Sequence, residues 1–189
     1  VTASQCEHEI VRKSQTRIVH STFLPQMRGG RVVGVYILTT DATASRMHER
    51  SLHALAHTDP LTQLPNRRRF EQALAGAAGR ARQGDRDCAL LYLDVDFFKQ
   101  INDRYGHATG DDVLVEFARR LRAVVRSSDL VARLAGDEFT VLLHDVRSEA
   151  DVERVARKIL DAVAEPFVLG AHTLKVGTTI GVGLASRGG

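Results

Sequence analysis

Apolar residues alternate or run together in some stretches of this chain and recur every three or four positions in others. These changes of period divide it into elements. Residues 1–42 read as strands. "TRIVHSTFLPQ" and "VVGVYILTTD" flank Arg28-Gly29-Gly30-Arg31, and two glycines between apolar runs predict a tight hairpin. Two strands do not stand alone, so residues 1–42 read as the closing part of a domain that begins upstream. Residues 43–57 lack Gly and Pro and carry a thin apolar face of Met47, Leu52 and Leu55. That predicts a linker helix, either simply connecting or dimerising.

From Thr58 the texture changes. "DPLTQLPN" is turn-rich, and Asn66 is placed to cap a helix with Phe70, Leu74, Ala77, Ala78 and Ala81 on one face, ended by "GDRD". "CALLYLDVD" has no polar face, as expected of a central strand covered on both sides. A helix over "DDVLVEFARRLRAVV" places Leu114, Phe117, Ala118, Leu121 and Val125 on one face and Asp111 and Asp112 at its positive end. "VARL-AGDE-FTVLL" reads as a hairpin. A further helix begins at Ser148, with Asp151 completing a capping-box-like pair and Val152, Val155, Ala156, Ile159, Leu160 and Val163 as its stripe. "HTLKVGTTIGVGLA" closes the series with one or two strands. The order β-α-β-β-α-β predicts an α+β, ferredoxin-like fold with its helices on one face of an antiparallel sheet.

Composition adds limits. The 189 residues are 43% hydrophobic and 26% charged, ordinary for a globular chain, with room for one domain and part of another. A net charge of +3, dispersed basic residues and 5% aromatics do not make a nucleic-acid surface. Cys6 and Cys88 lack metal-site spacing and suit a reducing cytosol. "VVGVYIL" and "ALLYLDV" are too short to span a bilayer. We therefore expect a cytoplasmic chain, one that upstream regions could attach to a membrane.

The candidate chemistry lies around the first central strand. Asp94 and Asp96 alternate with Val95, so both carboxylates face one side at the strand end, either hydrated or bound to metal. In this topology the hairpin tip Asp137-Glu138 neighbours that strand. It is a polar turn on its own, and with Asp94 it is a hard-cation site, since Mg²⁺ takes one or two carboxylates plus substrate phosphates. Lys99 and the backbone N–H groups after the strand suit a polyphosphate. Asn102 and Asp111, on either side of a glycine-punctuated turn, offer an amide and a carboxylate to a guanine edge, and each also reads as a cap or turn former. His107 reads as structural.

"DPLTQLPNRR", "DVDFFKQINDRYGHATGDDVL" and "RSSDLVARLAGDEFTVLL" together resemble the GGDEF domain of bacterial diguanylate cyclases, over about residues 58–186. "FLPQMRGGRVVGVYILTTDATASRMHERSLHALAH" resembles the closing strands and exit helix of a PAS sensor domain. The resemblance implies three parts: a PAS fragment over 1–42, a signalling helix over 43–57 and a GGDEF domain over 58–189. It also implies a nucleotide-cyclase or polymerase-palm-like sheet and condensation of two GTP into cyclic di-GMP with release of pyrophosphate. Asp94, the Val95 carbonyl and Asp137 would hold Mg²⁺ or Mn²⁺. Asn102 and Asp111, with His107 nearby, would hold guanine, while Phe97, Phe98 and Lys99 would cradle phosphates. Asp137 or Glu138 would deprotonate the attacking 3′-hydroxyl. One domain holds one GTP, so a homodimer would be needed. Arg126 and Asp129 match an R-x-x-D site that binds the inhibitory product.

Three departures stand against that pattern. Ala135 replaces the first glycine of the signature, and Gln63 replaces the glycine of "LTGLPN". The terminal "ALYxAKxxGRN" segment is not within these residues, which leads us to expect weakened GTP binding. The alternative expectation is a catalytically weak domain that binds GTP or cyclic di-GMP and regulates a partner or a downstream EAL phosphodiesterase domain.

Overall fold

The computed structural model describes residues 2–12, 15–83 and 87–185 and divides into two compact units, Val1–Ala54 and Leu55–Gly189. The first contains an antiparallel sheet of three strands, β1 (Ser4–Arg12), β2 (Gln15–Arg28) and β3 (Arg31–Asp41), in the order β1-β2-β3. One more strand is present than the pattern suggested. β1 was missed because its polar residues hide the alternation. The β2–β3 turn is the expected one, with Gly29 and Gly30 both at positive φ between paired Arg28 and Arg31. Pro25 fits in β2 because β1 pairing stops at Phe23, leaving its nitrogen on a free edge. Helix α1 follows over Thr43–His57, with Met47 exposed. The expected apolar positions Leu52 and Leu55 have side chains outside the described residues.

The second unit holds α2 (Arg67–Arg82), β4 (Cys88–Val95), α3 (Phe98–Tyr105), α4 (His107–Val124), β5 (Leu130–Ala135), β6 (Glu138–Leu143), α5 (Glu149–Ala164), β7 (Phe167–Leu169), β8 (His172–Leu174) and β9 (Thr178–Ala185). Its main sheet runs β5-β6-β4-β9, all antiparallel, which is the ferredoxin-like order. β7 and β8 form a separate hairpin. Asn66 caps α2 by accepting from the Arg69 N–H, and Ser148 caps α5 by accepting from the Asp151 N–H. The expected stop of α2 at "GDRD" lies, apart from Asp87, outside the described residues.

The two helices of the β-α-β-β-α-β series, α4 and α5, share one face of the sheet as expected, while α2, which precedes that series, lies on the other. Leu91, Leu93 and Val95 of β4 pack with Val113, Leu114, Phe117 and Leu121 of α4 and with Val152, Ile159 and Val163 of α5. The opposite parity, Cys88 and Leu90, packs with Phe70, Ala77 and Ala81 of α2. α2 covers that second face only over the first half of β4, and Tyr92 and Asp94 further along it are exposed. Leu160, placed by its spacing on the buried stripe of α5, is 44% exposed. Among the described residues no helix is long and apolar enough to cross a membrane.

Candidate active site

The polar end of the sheet begins where β4 and β6 meet. Asp94 is the register partner of Glu138, and the Val95 N–H donates to the Asp137 carbonyl at 3.3 Å. The strand end and the hairpin turn are thus one surface, with Val95 buried and Asp94 on the opposite, solvated side. Partial burial, followed by the charges of Asp137, Asp96 and Glu138, pushes the Asp94 carboxyl above its ordinary pKa.

Among the described residues no three acidic, histidine or cysteine side chains form a complete metal cage. An open pair beside a backbone carbonyl is the donor set that Mg²⁺ uses when phosphates supply the remaining ligands. The residues present therefore fit a hard divalent cation that arrives with a nucleotide.

The chain leaves β4 through a sharp corner. Phe97 adopts a left-handed conformation (φ 56°), is 74% exposed, and caps α3 without a side-chain hydrogen bond. Phe98, half-buried, packs inward against the core, and Lys99 is exposed. The N-terminus of α3 therefore faces solvent beside Asp94, with backbone donors and a lysine.

The stretch read as a turn around Asn102 is instead a helical corner. α3 and α4 meet at Gly106 (φ 85°), and α4 starts at His107. Asp111 and Asp112 consequently lie in the second turn of α4 and not at its positive end. A side chain at Gly110 would overlap the Asn102 carboxamide oxygen. The absence of a Cβ there lets Asn102 lie against α4 one residue from Asp111. His107 is exposed at the helix start. The turn reading failed because two glycines in five residues masked a helix–helix corner.

Two contacts hold the hairpin turn. Arg133 donates from Nε to the Gly136 carbonyl at 2.9 Å and from a terminal nitrogen to Asp59 Oδ1 at 3.0 Å. Asp59 also accepts from the Thr62 N–H and hydroxyl at 2.8 and 2.6 Å. Burial raises its pKa, but the bonds from Thr62 and Arg133 outweigh that and leave it below the ordinary value. Arg67 lies 3.5 Å from Glu138 Oε2, and the hydrogen bond with Glu138 leads the rise in the Tyr92 phenol's pKa. Sequence reasoning missed Asp59, Arg67, Tyr92 and Arg133. A lone arginine in the apolar run "LVARLA" was the available signal for Arg133.

Of the two substituted glycines, Ala135 is exposed and its φ is not positive, whereas Gln63 sits at φ 57° and donates to the Pro60 carbonyl at 2.8 Å. The strain of the departures therefore falls on Gln63.

Away from this surface, a cavity of about 340 Å³ is lined by Arg126, Asp129, Arg147, Arg154 and Lys158, among others. Both Asp129 oxygens accept backbone N–H groups at 3.2 Å, from Arg126 and from His144. Arg126 is exposed.

The family model described as "Diguanylate cyclase, GGDEF domain" matches residues 56–189. The chain is 46% identical over 145 residues to the diguanylate cyclase TpbB of Pseudomonas aeruginosa, covering 76% of this chain and 32% of TpbB. It is 42% identical over 143 residues to MucR of the same organism, a bifunctional diguanylate cyclase/cyclic di-GMP phosphodiesterase, covering 76% of this chain and 21% of MucR. It thus spans a fifth to a third of the length of these curated relatives. The solved GGDEF domain of TpbB superposes with a TM-score of 0.66 at 48% identity, covering 68% of this chain and 75% of that one. The coiled coil and GGDEF domain of DgcB from Caulobacter crescentus, solved with c-di-GMP, superposes with a TM-score of 0.70 at 27% identity, covering 77% and 78%.

Proposed function

Because the chain belongs to the GGDEF diguanylate cyclase family, we propose that residues 58–189 condense two GTP into cyclic di-GMP with loss of two pyrophosphates. The observation that carries this is the meeting of Asp94, Val95, Asp137 and Glu138 at one sheet end, beside the exposed N-terminus of α3.

Each residue then has a task. Asn102 and Asp111 hold the guanine, the amide accepting or donating and the carboxylate accepting from the base's N–H groups. His107 borders this guanine site. The backbone at Phe97 and Phe98 donates to phosphate oxygens at the positive end of α3, and Lys99 adds a point charge. Asp94, the Val95 carbonyl and Asp137 hold the divalent cation, Mg²⁺ or Mn²⁺. That cation supplies charge neutralisation on the phosphates and acidifies the attacking hydroxyl. Glu138 or Asp137 takes the 3′-hydroxyl proton as that oxygen attacks the α-phosphorus of the second nucleotide. Asp94 is crowded by like charge, which favours a site that is complete only with the cation and nucleotide in place. Each domain presents one such surface, so the two nucleotides meet between two copies, in a homodimer.

Residues 1–42 are then the end of a PAS sensor domain and residues 43–57 its signalling helix, and the full protein works in the cytoplasm. Arg126, exposed over the basic cavity, binds the phosphates of the inhibitory product. Asp129 shapes that site by fixing the loop and keeps lone pairs for a base. The same cavity supports a second reading, a catalytically weak module that binds cyclic di-GMP and acts on a partner or a downstream phosphodiesterase domain.

Chromatography of products from GTP and Mg²⁺, beside an Asp137→Ala control, tests the cyclase reading. Cyclic di-GMP from the unmutated chain alone supports it. GTP left intact, with cyclic di-GMP still bound, favours the second reading.

A further inference from the structure

The loop after β8 runs into β9 directly against the β4 corner, and three consecutive residues there, Gly177, Thr178 and Thr179, hydrogen-bond to Asp94 and Asp96. The Thr178 hydroxyl donates to the Asp94 carbonyl at 2.8 Å. The Thr179 hydroxyl donates to Asp96 Oδ1 at 2.8 Å. The Asp96 N–H donates to the Gly177 carbonyl at 3.0 Å. Thr178 is buried, so its hydroxyl has a fixed partner. A Cβ on Gly177 would stand 2.6 Å from Asp96 Oδ2. Glycine at 177 is therefore what allows the Asp96 carboxylate to fold back onto β9.

This arrangement separates two carboxylates that the sequence presents alike. Asp94 and Asp96 share a strand face, yet Asp94 lies level with Glu138 at the hairpin, while Asp96 is turned towards β9. One Asp96 oxygen is engaged by Thr179 and the other lies against Gly177. Asp96 is thereby withdrawn from the hairpin carboxylates, and the Val95–Phe97 backbone between the two aspartates is gripped from the β9 side. On the other side Val95 is held by the Asp137 carbonyl. The turn that presents Asp94, the Val95 carbonyl and the start of α3 is clamped from both neighbouring strands.

We propose that Gly177-Thr178-Thr179 is a positioning clasp for the cation site, acting through the Asp94 carbonyl and the Asp96 carboxylate without touching cation or nucleotide, and that Asp96 is a strut and not a ligand. The inference rests on the reading of Asp94 and Asp137 as cation ligands. Outer-shell partners of this kind change metal affinity by about 10- to 100-fold when removed.

The test is titration of Mn²⁺, followed by electron paramagnetic resonance, into the full chain with an α,β-methylene analogue of GTP that cannot be cyclised. Thr179→Val removes the hydroxyl while keeping the shape, Thr179→Ser keeps the hydroxyl, and Gly177→Ala displaces Asp96 by an independent route. We expect Thr179→Val and Gly177→Ala to weaken Mn²⁺ binding at least about tenfold, and Thr179→Ser to restore it. Far-UV circular dichroism should report the same fold in each. Asp137→Ala, run in parallel, separates the two levels. If it weakens Mn²⁺ binding while Thr179→Val and Gly177→Ala do not, the clasp is refuted and the site stands. If the serine variant is as weak as the valine one, the hydroxyl is not the positioning group. If the unmutated chain with the analogue binds no Mn²⁺, or Asp137→Ala binds it equally well, both proposals fall.

Discussion

Replacing Arg133 with methionine keeps most of its aliphatic stem and removes the guanidinium that joins the hairpin turn to the loop after α1. The Arg133 and Asp59 side chains are only 11% and 18% exposed, so water replaces the lost partner poorly. Two contacts disappear, one to the Gly136 carbonyl and one to Asp59. Asp59 keeps its two bonds from Thr62, which limits the damage. A hydrogen bond to a charged group contributes about 1.5–3 kcal/mol. Removing one partner of a fully buried pair costs about 3–5 kcal/mol, and this pair is only partly buried. We expect Arg133→Met to destabilise the second unit by about 2–3 kcal/mol at pH 7 in urea unfolding followed by circular dichroism. A cycle with Asp59→Asn should show coupling of about 1–2 kcal/mol. The Asp59 carboxyl is held below its ordinary value of 3.8, so the coupling is complete above that pH and fades as pH falls through the lowered folded value. Because Gly136 precedes Asp137, cyclic di-GMP formation should fall as well. A loss under about 0.5 kcal/mol, or strictly additive single variants, would refute the strut.

Other outcomes follow from the same geometry. Gln63→Gly should raise the melting temperature. It relieves about 1–2 kcal/mol of left-handed strain, against about 0.5–1 kcal/mol for glycine's extra unfolded freedom. Ala135→Gly, at a residue without positive φ, should bring no such gain and no large rise in cyclase rate; an increase of orders of magnitude would show that the methyl obstructs the site. The Arg119 hydrogen bond, then Arg120, hold Glu116 at about 2 against burial, compared with an ordinary 4.5. Its contribution, at most about 3 kcal/mol, is present above pH 4.5 and lost as pH falls through 2, and Glu116→Gln should flatten acid unfolding over that window. Arg126→Ala should weaken cyclic di-GMP binding in calorimetry at least about tenfold, and unchanged affinity would remove the product site.

Much of this was legible in the sequence because periodicity and caps are local. The α2 and α5 caps at Asn66 and Ser148, the glycine hairpin at 29–30 and the pairing of β4 with the hairpin all follow from short-range pattern and topology. What was not legible depends on contacts distant in sequence. Nothing near Asp59 points to Arg133, and nothing near Asp96 points to Thr179. The packing of α2 on the second face of the sheet depends on small residues, Ala77, Ala81 and Ala132, whose pattern carries little directional signal. The α3–α4 corner was obscured by Gly106 and Gly110. The first glycine makes the corner, and the second permits close approach inside a helix.

The measurement that tests the central claim most directly is parallel quantitation of pyrophosphate and cyclic di-GMP from GTP and Mg²⁺, with the unmutated protein and with Asp137→Ala. The account predicts two pyrophosphates for each cyclic di-GMP from the unmutated protein and neither product from the variant. A variant that forms the dinucleotide as fast as the unmutated protein would contradict it, and so would an unmutated protein that forms none.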